Sequence, residues 1–437
     1  MNKELALTWT NIAKIIEKIA CSQLSNYFET NNILTPLQFG FRKNCSTQHA
    51  LIAISDFIIH NIYEKKVSII IQLDLSKAFD KVNHDLLLKK LNWYGVDQDW
   101  FKSYLSGRSH VTKYIENISK PGFPSAGVPQ ESILGPLLFS IFINDLPAVL
   151  KSCLPIIYAD DTHLCNSCQP SDIDSMIQQC NDDLEYVSKW MDENGMELNI
   201  SKCKFILIYP SKVKKIQPTN SITIRQHQLE QCKTIKSLGL IIDEEATWVH
   251  HINDACRRAN YKLATIKPMM PFLTLDNAKI MITALCLSLL RYGSTIWGRA
   301  TKTDNQLVDK CIRRCARAIF HKTKSESISR DINSLGWLTA TNMYKYSICN
   351  LIFMTLHHNC PAYFNDFVMF KDGPYGTRYP THIKISEILP IKKYSSKLTS
   401  VQSCQIWNNL PVQITEITLL PLFKLKLKEY LISLQES

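Results

Sequence analysis

A chain of 437 residues with 45% hydrophobic and 20% charged side chains is globular and long enough for two or three domains. Its 50 basic and 39 acidic residues are unevenly placed: residues 1–245 hold 25 and 27, and residues 246–437 hold 25 and 12, so the second half carries +13 and points to a polyanion, nucleic acid before an anionic membrane. Fifteen scattered cysteines, an opening "MNKELALTWTNIAKIIEKIA" without a signal-peptide pattern, and apolar runs about half a bilayer span in length argue against secretion and membrane spans and for the nucleus or cytoplasm.

Taken in chain order, apolar positions at helical spacing predict a helix over 11–28, broken by "NNILTP", and another over 46–64 with Leu51, Ile54, Ile58 and Ile62 on one face. The β-branched run in "KVSIIIQLDLSKAF" (66–79) predicts a strand ending at Asp74. Helices follow over 82–95, stopped by Gly95, and over 97–107, closed by Gly107. A Gly/Pro loop within 125–150 feeds an apolar helix, and "IIYADDTHL" (156–164) then reads as a strand interrupted by Asp160 and Asp161, a hairpin tip in its plainest reading. A helix over 171–194 stops at Gly195, and 196–209 is a turn and a strand. This order argues α+β, an antiparallel sheet covered by helices on one face, which can bring Asp74 and Asp160 onto neighbouring strands.

From about residue 250 the periodicity is almost entirely helical. Residues 246–330 hold 15 basic and 5 acidic side chains, with Arg257, Arg258, Arg313, Arg314 and Arg317 spaced to line helix faces, a pattern suited to tracking phosphates. Cationic helices without large exposed aromatic faces speak against a membrane-surface role. "KDGPYGTRYP" (371–380) is a turn-rich loop or boundary, and the lone Cys165-Asn-Ser-Cys168 reads as strand or turn cysteines rather than a zinc site. Cys311 and Cys315 read as core.

Adjacent carboxylates repel, so Asp160 and Asp161 call for a counter-charge. Joined by Asp74 on a neighbouring strand, they are the donor set of two-metal phosphoryl transfer. Two Mg²⁺ ions ~3.5–4 Å apart, with Mn²⁺ as a substitute, need hard oxygen ligands from the protein, and a triphosphate completes their coordination.

Seven collinear blocks sharpen this: "LTPLQFGFRKNCSTQHAL" (34–51), "QLDLSKAFDKVNHDLLLKKL" (72–91), "WFKSYLSGRSHVT" (100–112), "GVPQESILGPLLFSIFINDLP" (127–147), "YADD" (158–161), "GMELNISKCKF" (195–205) and "SLGLIIDEEATWVHHI" (237–252). In order and spacing they resemble the reverse transcriptases of non-LTR retrotransposons of the LINE type. The tail at 403–431 is similar to that of elements related to the CR1 and jockey groups.

The resemblance implies a right-hand polymerase with fingers and palm over 1–245, a basic helical thumb over 246–330, and a helical C-terminal region over 331–437 to which it assigns no role. It implies RNA-templated addition of dNTPs to a DNA primer 3′-hydroxyl, with a separate endonuclease as a further partner. Asp74, Asp160 and Asp161 would be the metal ligands and Lys202 the general acid for pyrophosphate. Phe79 matches the steric gate against a 2′-hydroxyl, Gln130 the residue near the incoming sugar and base, and Arg42 with Lys43 the cations of the fingers block. Taken singly, these are a core aromatic, a polar turn residue and solvated cations.

The chain departs from the pattern in three ways. Only 33 residues precede the "LTPLQFGFR" block, where relatives carry an endonuclease domain and a first fingers strand. Glu131 replaces the second glycine of the usual GVPQGS, bringing bulk and negative charge toward a triphosphate. No cysteine-rich knuckle follows. These departures keep a competing reading in play, a degenerate or co-opted chain that binds nucleic acid without catalysis.

Overall fold

The computed structural model describes residues 3–109, 111, 113–114, 117–129, 132–211, 213–216, 218–357, 361, 364 and 399–435. They belong to two compact units, one built from residues 1–50, 66–207 and 212–232, the other from 51–65, 208–211 and 233–437. The last stretch of the first unit ends at 232, and the helices after 330 share a unit with 246–330. The turn-rich segment 371–380 lies outside the described residues.

The first unit contains α1 (Lys3–Thr30), the start of α2 (Thr47–Tyr63), α3 (His84–Trp93), α4 (Asp99–Leu105), α5 (Gly135–Phe142) and α6 (Ile173–Glu193). Its strands are β1 (Val67–Leu73), a small hairpin of β2 (Lys113–Tyr114) and β3 (Asn117–Ile118), then β4 (Leu154–Tyr158), β5 (Asp161–Cys168) and β6 (Lys204–Ile208), a second small hairpin of β7 (Thr223–Ile224) and β8 (His227–Gln228), and β9 (Glu230–Gln231). Five of them form one sheet in the order β4-β5-β1-β6-β9.

The β1 and β5 strands pair antiparallel from Val67 opposite Cys168 to Leu73 opposite Thr162, and β4 with β5 forms a hairpin ending at Tyr158 opposite Asp161. The edge pair β6 and β9 is parallel, so the sheet is mixed at one side. Val67, Ser68, Ile69, Ile70 and Ile71 are all buried. Successive residues of a strand face opposite sides, so both faces of the sheet are covered, which corrects the expectation of helices on one face only. The same alternation points Cys165 and Cys168 to opposite faces, away from any common ligand.

Two capping interactions set the frame. Asn83 caps α3 by accepting the Leu86 N–H at 3.0 Å, and Gly95, at φ +82°, follows its end. Asp183 of α6, fully buried, accepts N–H groups of Lys151, Ser152 and Cys153 at 2.9, 3.0 and 2.7 Å and so fixes the chain entering β4.

The second unit opens with the hairpin β10 (Thr234–Ser237) and β11 (Leu240–Asp243). Buried Asp243 accepts the N–H groups of Thr247 and Trp248, both at 2.9 Å, and seeds α7 (Val249–Ile266). Helices Leu275–Ile282, Lys302–Phe320, Ala340–Leu356, Thr399–Asn408 and Leu420–Ser433 follow, around a core that includes Trp297, Cys286, Cys315, Ile348 and Phe423. Arg299, its side chain only 5% exposed, donates to Asp56 at 3.4 Å and Ser55 at 2.5 Å. No described helix is long and apolar enough to cross a membrane, and all fourteen described cysteines are unbridged.

Candidate active site

Asp74 is the residue after β1, and a second segment splints it there. Its carbonyl accepts the Asn199 N–H at 2.8 Å, its own N–H points to the Cys203 sulfur at 3.4 Å, and the Ser76 N–H reaches the Glu197 carbonyl at 2.8 Å. The block "GMELNISKCKF" therefore serves as the support of Asp74. It also delivers Lys202, whose Nζ lies 3.6 Å from Asp74 Oδ2 on a largely exposed side chain.

Asp160 sits in the two-residue turn of the β4–β5 hairpin, and Asp161 is the first residue of β5. The turn bends through Ala159 at φ +57°, a left-handed conformation costly for a side chain other than glycine. Gln38 compensates: its side-chain oxygen accepts both the Ala159 N–H at 3.1 Å and the Gly40 N–H at 2.7 Å. The Phe39 N–H also reaches the Ile157 carbonyl at 2.8 Å. The "LQFG" stretch thus clamps the turn that presents the aspartates.

Leu73 opposite Thr162 puts Asp74 and Asp161 at the same end of neighbouring strands. Asp161 is half-buried; burial raises its carboxyl pKa, and the charges of Asp160 and Asp74 push it further up. The cluster is thus short of positive charge, which divalent cations supply, and its donors are the hard oxygens such ions prefer. Among the described residues no group of three or more His, Cys, Asp or Glu side chains is arranged to hold a metal ion by itself. Open sites that share ions with substrate and water need none, so the residues fit the group.

Phe79 lies in the short helix after β1, stacked on Phe139 at 4.6 Å between centroids and edge-on to Phe41 at 5.9 Å. Its carbonyl accepts the Val128 N–H at 2.8 Å, and the Val82 carbonyl accepts the Gly127 N–H at 2.8 Å. The His84 Nε2–H donates to the Gly127 carbonyl at 2.7 Å. The glycine loop is laid directly on the segment that carries Phe79. Gln130 and Glu131, next along that loop, lie outside the described residues.

Arg42 is placed differently from its expected role. It makes a two-pronged pair with Glu29 at 2.6 and 2.8 Å and donates to the Thr35 and Gln38 carbonyls at 2.7 and 3.2 Å. Four of its five N–H donors are engaged inside the fold, so it acts as a clamp behind the "LQFG" stretch rather than as a cation held ready for a triphosphate. Lys43 is exposed.

In the second unit, α7, residues 267–272 and helix Lys302–Phe320 border a groove of about 1010 Å³. Arg313, Arg314 and Arg317 line it together with Lys267, Lys310 and Lys324, and no carboxylate is among its lining residues. Arg257 and Arg258 are not in it; both pair with Asp254, at 2.7 and 2.9 Å. Sequence reasoning missed Gln38, Gly40 and His84, because their roles arise from pairing between distant segments and leave no local periodicity.

The family model described as reverse transcriptase (RNA-dependent DNA polymerase) matches residues 7–242. Among curated proteins, the probable RNA-directed DNA polymerase from transposon BS of Drosophila melanogaster is 28% identical over 346 residues, 74% of this chain and 37% of the relative. The RNA-directed DNA polymerase from mobile element jockey of the same organism is 25% identical over 344 residues, 74% of this chain and 36% of the relative. The Pol polyprotein from type-1 retrotransposable element R2 of Popillia japonica is 27% identical over 275 residues, 58% of this chain and 42% of the relative. The matched region spans well under half the length of each of these relatives.

Proposed function

The chain belongs to the reverse transcriptase (RNA-dependent DNA polymerase) family, and we propose that it extends a DNA primer on an RNA template with dNTPs. The observation that carries this reading is the placement of Asp74 at the end of β1 beside Asp160 and Asp161, with the Asp161 carboxyl pKa raised by burial and by both neighbours. The family uses divalent metal ions, and Asp74, Asp160 and Asp161 would hold two Mg²⁺ here. Bound ions supply acidity to the primer hydroxyl and counter-charge to the triphosphate.

The chain's own residues do the rest. Gln38 and the Asp183 cap hold the hairpin, so the aspartates need not reorganise when substrate arrives. Phe79, braced by Phe139, would pack under the sugar and disfavour a 2′-hydroxyl. Lys202, 3.6 Å from Asp74, would give a proton to the departing pyrophosphate. The cationic groove of the second unit would hold nucleic acid by its phosphates. A nuclear or cytoplasmic setting and a separate endonuclease as partner belong to the same reading.

Extension of oligo(dT) on poly(rA) with Mg²⁺ tests the proposal. Asp160→Asn should lower extension by at least about a hundredfold while RNA binding persists, since removing one charge from a two-ion site spoils catalysis and leaves the groove intact. A parent-like Asn variant would overturn the metal assignment. One observation, Glu131 in place of glycine, favours binding without catalysis. A parent that binds RNA but does not extend would establish that second reading.

A further inference from the structure

Two large aromatic rings of the second unit stand in solvent beside the cationic groove. Phe272 is 87% exposed at the end of the turn whose Lys267, Met270 and Pro271 line the groove, and Tyr261 is 72% exposed on α7, one residue from the lining Asn260. Leaving such rings in water forgoes the burial that usually fixes them, and each directly follows a lining residue, Asn260 or Pro271, on the side of the groove that faces the cations of helix Lys302–Phe320. A concave positive track edged by unburied rings is how proteins bind single strands: the phosphates follow the charge, and the unpaired bases stack on the rings.

From this juxtaposition we infer that the groove takes a single-stranded stretch of nucleic acid, with Arg313, Arg317 and Lys310 on the phosphates and Tyr261 and Phe272 stacking on bases. This rests on the proposed function only in taking the partner to be nucleic acid. A duplex hides its base faces and could use the cations but not the rings. A flat bilayer could meet the rings but could not enter a groove, so a single strand is the ligand that uses both features. Stacking on either ring is sequence-tolerant, because every base has a π-face.

The test uses the full chain without Mg²⁺, so that binding is read apart from extension. Affinities are measured by fluorescence anisotropy for labelled oligo(dT) of about 12 nucleotides, for an abasic strand of the same length and charge, and for a matched duplex. The parent should bind oligo(dT) on the order of tenfold tighter than the abasic strand. The double variant Tyr261→Ala with Phe272→Ala should lose that preference and keep the same salt dependence. Lys310→Ala with Arg313→Ala should instead keep the preference and flatten the slope of log affinity against log salt by about 0.7 per lost contact. All four side chains lie on exposed or groove-lining surface, and thermal melts of the variants check that the fold stands.

Equal binding of abasic and oligo(dT) strands by the parent would overturn the inference, as would a preference that survives loss of both rings. Tighter binding to duplex with no effect of the rings would assign the groove to duplex tracking. Binding to phosphatidylserine vesicles that the ring variant loses, with oligonucleotide binding unchanged, would assign the rings to a membrane surface. Failure of the parent to bind any strand at low salt would instead remove the nucleic-acid partner of the proposed function itself.

Discussion

Gly40 leaves no room for a side chain, since a Cβ there would lie 2.2 Å from the backbone nitrogen of Ala159, in the turn that presents Asp160. Backbone cannot swing aside as a side chain can, so Gly40→Ala must displace that turn. Extension should fall at least about tenfold, because small misplacements of reacting groups cost that much or more, while binding to oligo(dT) in the second unit is unchanged. Unaltered extension would mean that the turn tolerates displacement. Arg42 gives an opposite contrast. Arg42→Lys keeps the charge and loses the two-pronged pair with Glu29, so stability should drop by about 1–3 kcal/mol with the nucleotide KM unchanged. A raised KM at constant Tm would restore the expected role at the triphosphate. For Phe79, backed by Phe139, Phe79→Val should raise the incorporation of ribonucleotides relative to deoxynucleotides. Unchanged discrimination would make it a packing residue only.

The ion pair of Arg299 with Asp56 shows what single elements owe to distant ones. α2 reads in the sequence as an amphipathic helix, and its residues 51–63 belong to the second unit, where the nearly buried guanidinium of Arg299 meets Asp56 and Ser55. Removing one member leaves the other charged and dry, so Arg299→Ala should cost about 3–5 kcal/mol by urea unfolding. A loss below about 1 kcal/mol would show that water reaches Asp56. The individual elements are legible wherever local pattern decides them. "VSIIIQL" is a strand because its residues are β-branched and apolar, and α3 runs from an Asn cap to a glycine stop. Illegible are the partners. Nothing local in "LQFG" announces that it pairs with Ile157, and nothing in α2 tells which unit it joins. The three aspartates were readable as a set because their chemistry restricts the alternatives; Gln38 and His84, which hold their surroundings, were not, since such residues commonly sit in turns and helix starts.

Over the whole molecule, charge is distributed as the sequence tally suggests, with the excess of +13 after residue 245 concentrated in part along one groove. The exposure of Tyr261 and Phe272 runs against the same reading, because apolar side chains at helical spacing look alike whether they face a core or a ligand. Buried histidines add a response to pH that no tally shows. Burial lowers the pKa of His49, His163 and His251 to about 4 each, from an ordinary value of 6.5. Above pH 6.5 these rings are neutral in both folded and unfolded chains and contribute nothing. Between pH 6.5 and 4 the unfolded chain takes up protons that the folded one refuses, so stability falls as pH drops through that window and levels off below it. Asp161 and Asp309 act in the opposite sense, their raised pKa values favouring the folded state as pH falls. They are two partly buried carboxyls against three imidazoles, so the histidines outweigh them. Fully buried His163, pressed between β4 and β1, accounts for up to about 3 kcal/mol of the loss. His163→Leu should therefore leave the Tm near pH 7.5 little changed and make the decline between pH 6.5 and 4 visibly shallower. A decline of equal steepness in the Leu variant would place the acid sensitivity in other groups.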